Sequence, residues 1–193
     1  MFHSESGEIQ VQIDRVYYPV QTLGYGNRVG IWTIGCIHHC ENCSNPELWE
    51  FDSSKDISID KIISCVRQAK EVDGVTITGG DPFEQAEELY RLVKALKNLG
   101  IKDILVYSGY TIDELRIKGQ IERAILKEIG ILVDGQYVDS LNDNKSFRGS
   151  SNQVIHVLNE ELTDRYLGAD DWVRKTQVVI NQNQIQAIGL PIK

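Results

Sequence analysis

Nothing in the 193-residue chain is apolar for long enough to span a bilayer. There is no basic tract either: 20 Lys and Arg stand against 28 Asp and Glu, for a formal net charge of -8. That balance argues against a nucleic-acid backbone or an anionic membrane as partner, and leaves small molecules or proteins. The opening residues, MFHSESGEIQ, carry neither a basic start nor an apolar run and do not read as a signal peptide. A soluble, cytoplasmic protein is therefore expected. No internal repeat, low-complexity tract or Pro/Gly/Ser linker divides the sequence, so it reads as one domain over residues 1–193. Cysteine is scarce, four in all; three fall between Cys36 and Cys43, and Cys65 stands apart. A disulfide framework would spread its pairs along the chain, whereas this clustering points to metal or redox chemistry.

What is present is a globular composition, 41% hydrophobic and 25% charged, arranged as short β-branched runs alternating with amphipathic stretches. Strands are expected at Ile9–Val20, Val29–Ile34, Gly74–Thr78, Ile104–Tyr107, Ile131–Val133, Gln153–Leu158 and Gln177–Asn181. Ser58 suits the N-cap of a helix whose Ile59, Ile62, Ile63, Val66 and Ala69 follow helical spacing. The next helix has Asp81 as N-cap, Pro82 at its first position, Glu84 as the partner of a capping box and Gly100 beyond its end. Its predicted stripe is Phe83, Ala86, Leu89, Tyr90, Val93 and Leu96. Thr111 and Glu114 form a second capping box, and a helix through Ile121, Ile125, Leu126 and Ile129 stops at Gly130. The alternation predicts an α/β fold with parallel βαβ units. About six strands are too few for a complete eight-stranded barrel, leaving an open sheet or a shortened partial barrel. Ligands then gather at the C-terminal strand ends, where the cysteines, Gly79-Gly80, Ser108-Gly109 and Asp134-Gly135 all fall.

The loop Gly35-Cys36-Ile37-His38-His39-Cys40-Glu41-Asn42-Cys43 offers three thiolates at C-x3-C-x2-C spacing. Soft sulfur favours an iron–sulfur cluster or zinc. A four-iron cluster ordinarily takes four cysteines, so three leave one iron open for a ligand such as the amino and carboxylate groups of a methionine moiety. The competing reading is a structural zinc completed by His38, His39 or Cys65. Cys65 lies beside a buried stripe and is expected to be a small core residue; His38 and His39 are expected to be solvated.

The cysteine loop after a strand, followed by a Gly-Gly-acid turn after the next strand, resembles the radical-SAM superfamily. The ordered set Gly26-x-Arg28, Gly35-Cys36 through Asn45-Pro46 with Trp49, Thr78-Gly79-Gly80-Asp81-Pro82, Tyr107-Ser108-Gly109-Tyr110-Thr111, Leu132-Val133-Asp134-Gly135 and Phe147-Arg148-Gly149-Ser150-Ser151-Asn152-Gln153 is similar to activating proteins of anaerobic (class III) ribonucleoside-triphosphate reductases. The likeness spans about residues 24–158, with 159–193 as a C-terminal extension.

This resemblance implies a shortened α/β barrel holding a [4Fe-4S] cluster on Cys36, Cys40 and Cys43, which cleaves S-adenosylmethionine. The 5′-deoxyadenosyl radical would take a hydrogen atom from a backbone glycine of a partner reductase. A one-electron donor such as flavodoxin and oxygen-free conditions are implied too.

By position, Gly79 and Gly80 resemble the turn whose backbone receives the methionine amino group, although a plain strand-to-helix turn explains a Gly pair equally. Asn42, with Cys43, stands where the wider superfamily sets an aromatic residue against adenine, which leaves its backbone for that contact. Asp134 resembles a ribose or methionine contact, with a turn-forming Asp-Gly as the alternative. Arg148, with Ser150 and Ser151, is assigned to the cofactor carboxylate, the partner, or a solvated loop. Arg28 and Trp49 are assigned to a docking surface, core packing being the default for Trp49. The 160–175 segment reads as an insertion or partner-facing element. The alternatives are activation of another glycyl-radical enzyme, radical-SAM chemistry on a small molecule, and a non-catalytic iron–sulfur or zinc module, which would not need the Gly-Gly turn.

Overall fold

A computed structural model describes residues 10–181 and 184–192. The strands and helices follow in the order β1 (Gln10–Val20), β2 (Arg28–Thr33), β3 (Asp56–Ser58), α1 (Ile59–Gln68), β4 (Gly74–Gly79), α2 (Ala86–Asn98), β5 (Ile104–Tyr107), α3 (Ile112–Lys118), α4 (Gln120–Glu128), β6 (Ile131–Asp134), β7 (Val154–Val157), α5 (Thr163–Tyr166), β8 (Gln177–Asn181) and β9 (Gln184–Ile188). The predicted start of the first strand at Ile9 lies outside the described residues. Among the described residues no helix is long and apolar enough to cross a membrane.

Seven strands make one open sheet in the order β3-β1-β2-β4-β5-β6-β7, while β8 and β9 form a separate ribbon. The pairs β2–β4, β4–β5 and β5–β6 are parallel. β1 and β7 run against their neighbours, so β2 through β6 share one direction. The α/β class and the parallel centre agree with the sequence. Two features of strand placement go beyond what the sequence specified: the strand at Gln177–Asn181 pairs outside the main sheet, and the strand after Gln153 returns antiparallel.

Side-chain caps set the starts of α1 and α3. The Ser58 side chain accepts from Lys61 N, and Thr111 and Glu114 form the reciprocal capping box. At Asp81 the side chain caps Phe83 N and Pro82 opens a 3₁₀ turn that precedes α2. Glu84 does not complete a capping box; its carboxylate accepts from Tyr110 Oη instead. The α2 stripe also includes Leu92, fully buried with Leu89, Val93 and Leu96.

Period-two alternation divides the sheet residues between two apolar layers. Val29, Ile31, Val75, Ile77, Ile104, Val106 and Leu132 pack with the buried stripes of α1, α2 and α4. On the other face Leu105, Ile131 and Val133 meet Phe147, Leu162, Tyr166 and Ala169, and Trp32 and Ile34 meet Ile188. The apolar residues of the 160–175 segment, α5 among them, cover the sheet face opposite α1, α2 and α4. With both faces covered, the central strands can be apolar throughout, and every residue of β2 is buried.

Arg28 shows how this second layer is fastened. It is fully buried rather than part of a docking surface. Its Nε donates to Thr76 Oγ1 at 2.6 Å, Nη2 to Asp103 Oδ1 at 2.9 Å, and Nη1 to Tyr166 Oη at 3.2 Å. Tyr166 in turn donates to the Asp103 carboxylate at 3.0 Å. One guanidinium thus ties β2 and β4 to the start of β5 and to α5. A buried pair of this kind adds little net stability over an apolar replacement, but losing Arg28 leaves the buried Asp103 carboxylate with only the partly exposed Arg165, 3.1 Å away, as its cationic partner.

Arg28→Met should lower the unfolding free energy by about 3–5 kcal/mol, and Tyr166→Phe by about 1–2 kcal/mol, in urea titrations followed by circular dichroism. Unchanged midpoints for Arg28→Met would contradict the buried-pair assignment.

Candidate functional site

Parallel strands deliver their following loops to one edge, and the cysteine loop leaves β2 there. Its entry is pinned by Gly35 N donating to Leu48 O at 2.9 Å and Cys36 N donating to Trp49 O at 2.8 Å. Gly35 has φ +88°, and a Cβ there would lie 2.3 Å from the Phe51 ring, so only glycine fits. Two non-glycine residues, His39 (φ 45°) and Asn42 (φ 56°), adopt the left-handed region. Each sits between successive cysteines and turns the chain back. Cys43 N donates to Cys40 O at 3.2 Å and Asn45 N to Cys43 Sγ at 3.5 Å.

The three cysteines are half-buried. Burial pushes the Cys36 thiol up to about 11, reinforced by the Asp81 charge and by Cys40, and opposed by the backbone N–H groups of His38 and His39. Burial also raises Cys40, against hydrogen bonds from the Tyr137 backbone and the Gln136 side chain, which lie across the mouth. Metal loading on these thiols must release their protons.

Among the described residues, no three His, Cys, Asp or Glu side chains converge as ligands of a single ion. A cluster bound through cysteines places each thiolate on its own iron. The proposed fourth zinc ligands are also placed elsewhere. His38 Nε2 lies 2.8 Å from Asp81 Oδ2, His39 stacks on Trp49 at 4.5 Å between ring centroids, and Cys65 is exposed on α1. His38 is thus not a solvated residue, and Cys65 is not a core residue.

Asp81 is the centre of the site's scaffold and is 1% exposed. Its Oδ2 faces His38 and accepts from Gly109 N at 2.8 Å; its Oδ1 accepts from Phe83 N at 3.0 Å, and both oxygens lie within 3.2 Å of Ser108 Oγ. The hydrogen bond to Asp81 raises the His38 pKa against the opposing effect of burial. His38 is further confined by the edge of Tyr110, at 4.6 Å, and by Gly109, where a Cβ would lie 2.4 Å from the imidazole. Sequence reasoning stopped at the capping role of Asp81; the links to His38 and Ser108 depend on strand order, which local pattern does not reveal.

The predicted cofactor residues fall on this same edge, in differing circumstances. Gly79 (φ +110°) and Gly80 press against the end of β2: a Cβ on Gly79 would lie 2.3 Å from Thr33 O, and one on Gly80 2.4 Å from Gly35 O. Gly80 N donates to Thr33 O and Asp81 N to Gly35 O, both at 2.8 Å. The glycine pair is thus required by close backbone packing, whatever else it binds. Asn42 is exposed at the tip of the cysteine loop. Asp134 is buried; its oxygens accept from Ile112 N at 2.6 Å and Val154 N at 3.3 Å, and His156 Nε2 lies 2.9 Å away. Arg148 pairs with Asp143 at 2.7 Å, so it does not present an unoccupied guanidinium to solvent. Trp49 is half-buried behind His39.

Three further residues, Gln153 and Tyr107 from the quoted motifs and Arg174 from outside them, had no role of their own in the sequence analysis. Gln153 accepts from Gly149 N at 2.6 Å and donates to Gly135 O at 2.6 Å, binding the 147–153 loop to the end of β6. Arg174 donates to Arg148 O and Pro191 O, each at 2.6 Å, and so joins that loop to the C-terminal segment. Tyr107 joins these residues, Cys43, Leu190 and Pro191 around a cavity of about 90 Å³. Among the described residues its buried hydroxyl has no hydrogen-bond partner, an unmet polar group beside the cysteine loop of the kind a bound molecule satisfies.

Gly80→Ala sets a methyl group against Gly35 O, and overpacking of this kind costs about 1–3 kcal/mol. The variant should fold less stably and bind less iron and sulfide per chain after anaerobic reconstitution. Wild-type iron content together with a wild-type melting temperature would show that the turn tolerates the side chain.

Comparison with known proteins places this geometry in a family. Residues 22–156 match the family described as "4Fe-4S single cluster domain". The anaerobic ribonucleoside-triphosphate reductase-activating protein of Escherichia coli strain K12 is 34% identical over 151 residues, covering 74% of this chain and 96% of that protein. The protein of the same name from Enterobacteria phage T4 is 32% identical, covering 74% and 91%. A pyruvate formate-lyase-activating enzyme from Staphylococcus aureus strain USA300 is 27% identical, covering 80% of this chain and 63% of that enzyme. With its cysteine loop inside the matched region, the chain belongs to the single-cluster 4Fe-4S family of anaerobic ribonucleoside-triphosphate reductase-activating proteins.

Proposed function

We propose that this protein generates the glycyl radical of an anaerobic ribonucleoside-triphosphate reductase. The observation that carries the reading is the set of three half-buried cysteines, presented by one loop beside a glycine turn at the C-terminal ends of the parallel strands. Cys36, Cys40 and Cys43 would hold the [4Fe-4S] cluster. When bound, the cluster supplies the single electron that splits a carbon–sulfur bond of S-adenosylmethionine, and the released 5′-deoxyadenosyl radical takes a hydrogen atom from a glycine of the partner.

The protein's own part is placement. Gly79 and Gly80 would offer backbone groups to the methionine amino group, and the Asn42–Cys43 backbone would serve the adenine. Asp134, whose oxygens already serve Ile112 and Val154, fixes the strand end beside the cofactor. His38 and Asp81 hold the cysteine loop to the glycine turn. The electron comes from a small donor of the flavodoxin type, and the reaction takes place in an anaerobic cytoplasm. Activation of a pyruvate formate-lyase is the weaker reading: that relative is less similar, and the chain spans only 63% of its length.

The test is anaerobic reconstitution with iron and sulfide, reduction with dithionite, and assay of 5′-deoxyadenosine and methionine. Electron paramagnetic resonance on added reductase then reports the glycyl radical. Cys36→Ala, Cys40→Ala and Cys43→Ala should each reduce cleavage to background, while Cys65→Ala should match the wild type. Cleavage retained in any of the first three would overturn the ligand assignment. A protein that binds iron but never cleaves S-adenosylmethionine would be an electron carrier instead.

A further inference from the structure

The β8–β9 ribbon turns its apolar face to solvent. Cross-strand partners point to the same side, and the pairs Val178–Ala187 and Ile180–Ile185 share one face. Val178, Ile180 and Ile185 on that face are 61%, 72% and 75% exposed. A ribbon half-covered by a protein body normally turns its polar residues outward.

The ribbon is firmly seated by its other face. Val179 packs against a buried cluster that contains Ile188, Gln177 Nε2 donates to Pro19 O at 2.8 Å, and Thr22 Oγ1 donates to Ile188 O at 3.1 Å. The exposed apolar face therefore belongs to an anchored element.

Its position relates it to the site. Ala187 and Ile188 line a cleft together with Ser44 and Asn45, immediately after Cys43. The chain then continues into Leu190 and Pro191, which wall the cavity beside Cys43. A protein that brings a glycine to the cysteine loop arrives next to this ribbon. Ile37, 62% exposed within that loop, adds apolar surface at the mouth itself. A single glycine offers no side chain for recognition, so affinity must come from surface outside the reacting residue, and buried apolar anchors are what supply it. The ribbon also lies beyond residues 22–156, the part that matches the family, so it is an element in which this chain can differ from its relatives.

We infer that the outward face of β8–β9, through Val178, Ile180 and Ile185, is the docking surface for the glycyl-radical protein this chain activates, an assignment that rests on the proposed function. The partner presents a complementary apolar patch beside its glycine-bearing segment. The face therefore governs which reductase is activated, and plays no part in cleaving S-adenosylmethionine.

The experiment pairs the reconstituted full-length protein with the anaerobic reductase of the same organism and compares wild type with the double variant Ile180→Ser, Ile185→Ser. Three quantities are read: uncoupled S-adenosylmethionine cleavage under dithionite, the reductase concentration giving half-maximal glycyl radical, and mass by sedimentation. Cleavage and circular dichroism should stay at wild-type values while the half-saturating concentration rises about tenfold, and Ile180→Val, Ile185→Val should restore it. Unchanged half-saturation with normal cleavage overturns the docking assignment alone. A wild-type dimer that the serine variant dissociates, with half-saturation unchanged, assigns the face to a second copy and also overturns it. If the wild type cleaves S-adenosylmethionine but yields no glycyl radical on the reductase, the reductase reading fails, and the docking assignment fails with it.

Discussion

The candidate site depends on one buried carboxylate. Asp81 follows β4, yet its oxygens meet His38 from the loop after β2 and Ser108 and Gly109 from the loop after β5. Three strand ends that share no local sequence are thereby held in one arrangement. The arrangement is specific because each donor is fixed in its own right: Gly109 has no Cβ to strike the imidazole, and Tyr110 closes over the ring. A buried carboxylate left without these donors would face a large desolvation cost, so the cap, the histidine and the serine stabilise one another.

At the opposite end of the same strands, Arg28 does comparable work with the charges reversed. It gathers Thr76, Asp103 and Tyr166, and through Tyr166 it fixes the layer that covers the face opposite α1, α2 and α4. The sheet is thus tied by a polar knot at each end with apolar packing between. The knot at the cysteine end positions chemistry, whereas the other fastens the C-terminal layer without which Leu105, Ile131 and Val133 would lie open to water.

The sequence disclosed what local rules govern. Ser58, Thr111 and Glu114 act as caps because capping is decided within four residues, and the parallel centre follows from alternating strand and helix periods. The cysteine loop was legible for the same reason, its three cysteines lying close together in sequence. Residues whose surroundings come from distant segments were misread. Arg28 looked like surface because arginine usually is, and only the fold brings Asp103 and Tyr166 to it. Cys65 borders the buried stripe of α1, but the turn per residue carries it into solvent, where Ile62, Ile63 and Val66 are not. Neither the reversed direction of β7 nor the pairing of β8 with β9 leaves a mark in periodicity, since parallel and antiparallel strands alternate alike. β3, only three residues long, is too brief to carry a period at all.

The cavity beside Cys43 has a consequence for the order in which the molecule is completed. One wall comes from the cysteine loop near the start of the chain and the other from Arg174, Leu190 and Pro191 near its end. Contacts between such distant stretches form late in folding, because the intervening chain must first be ordered. During synthesis the cysteines leave the ribosome long before the residues that enclose them. Until Arg174, Leu190 and Pro191 arrive, the cavity beside Cys43 lacks one of its walls and lies open to water and oxygen.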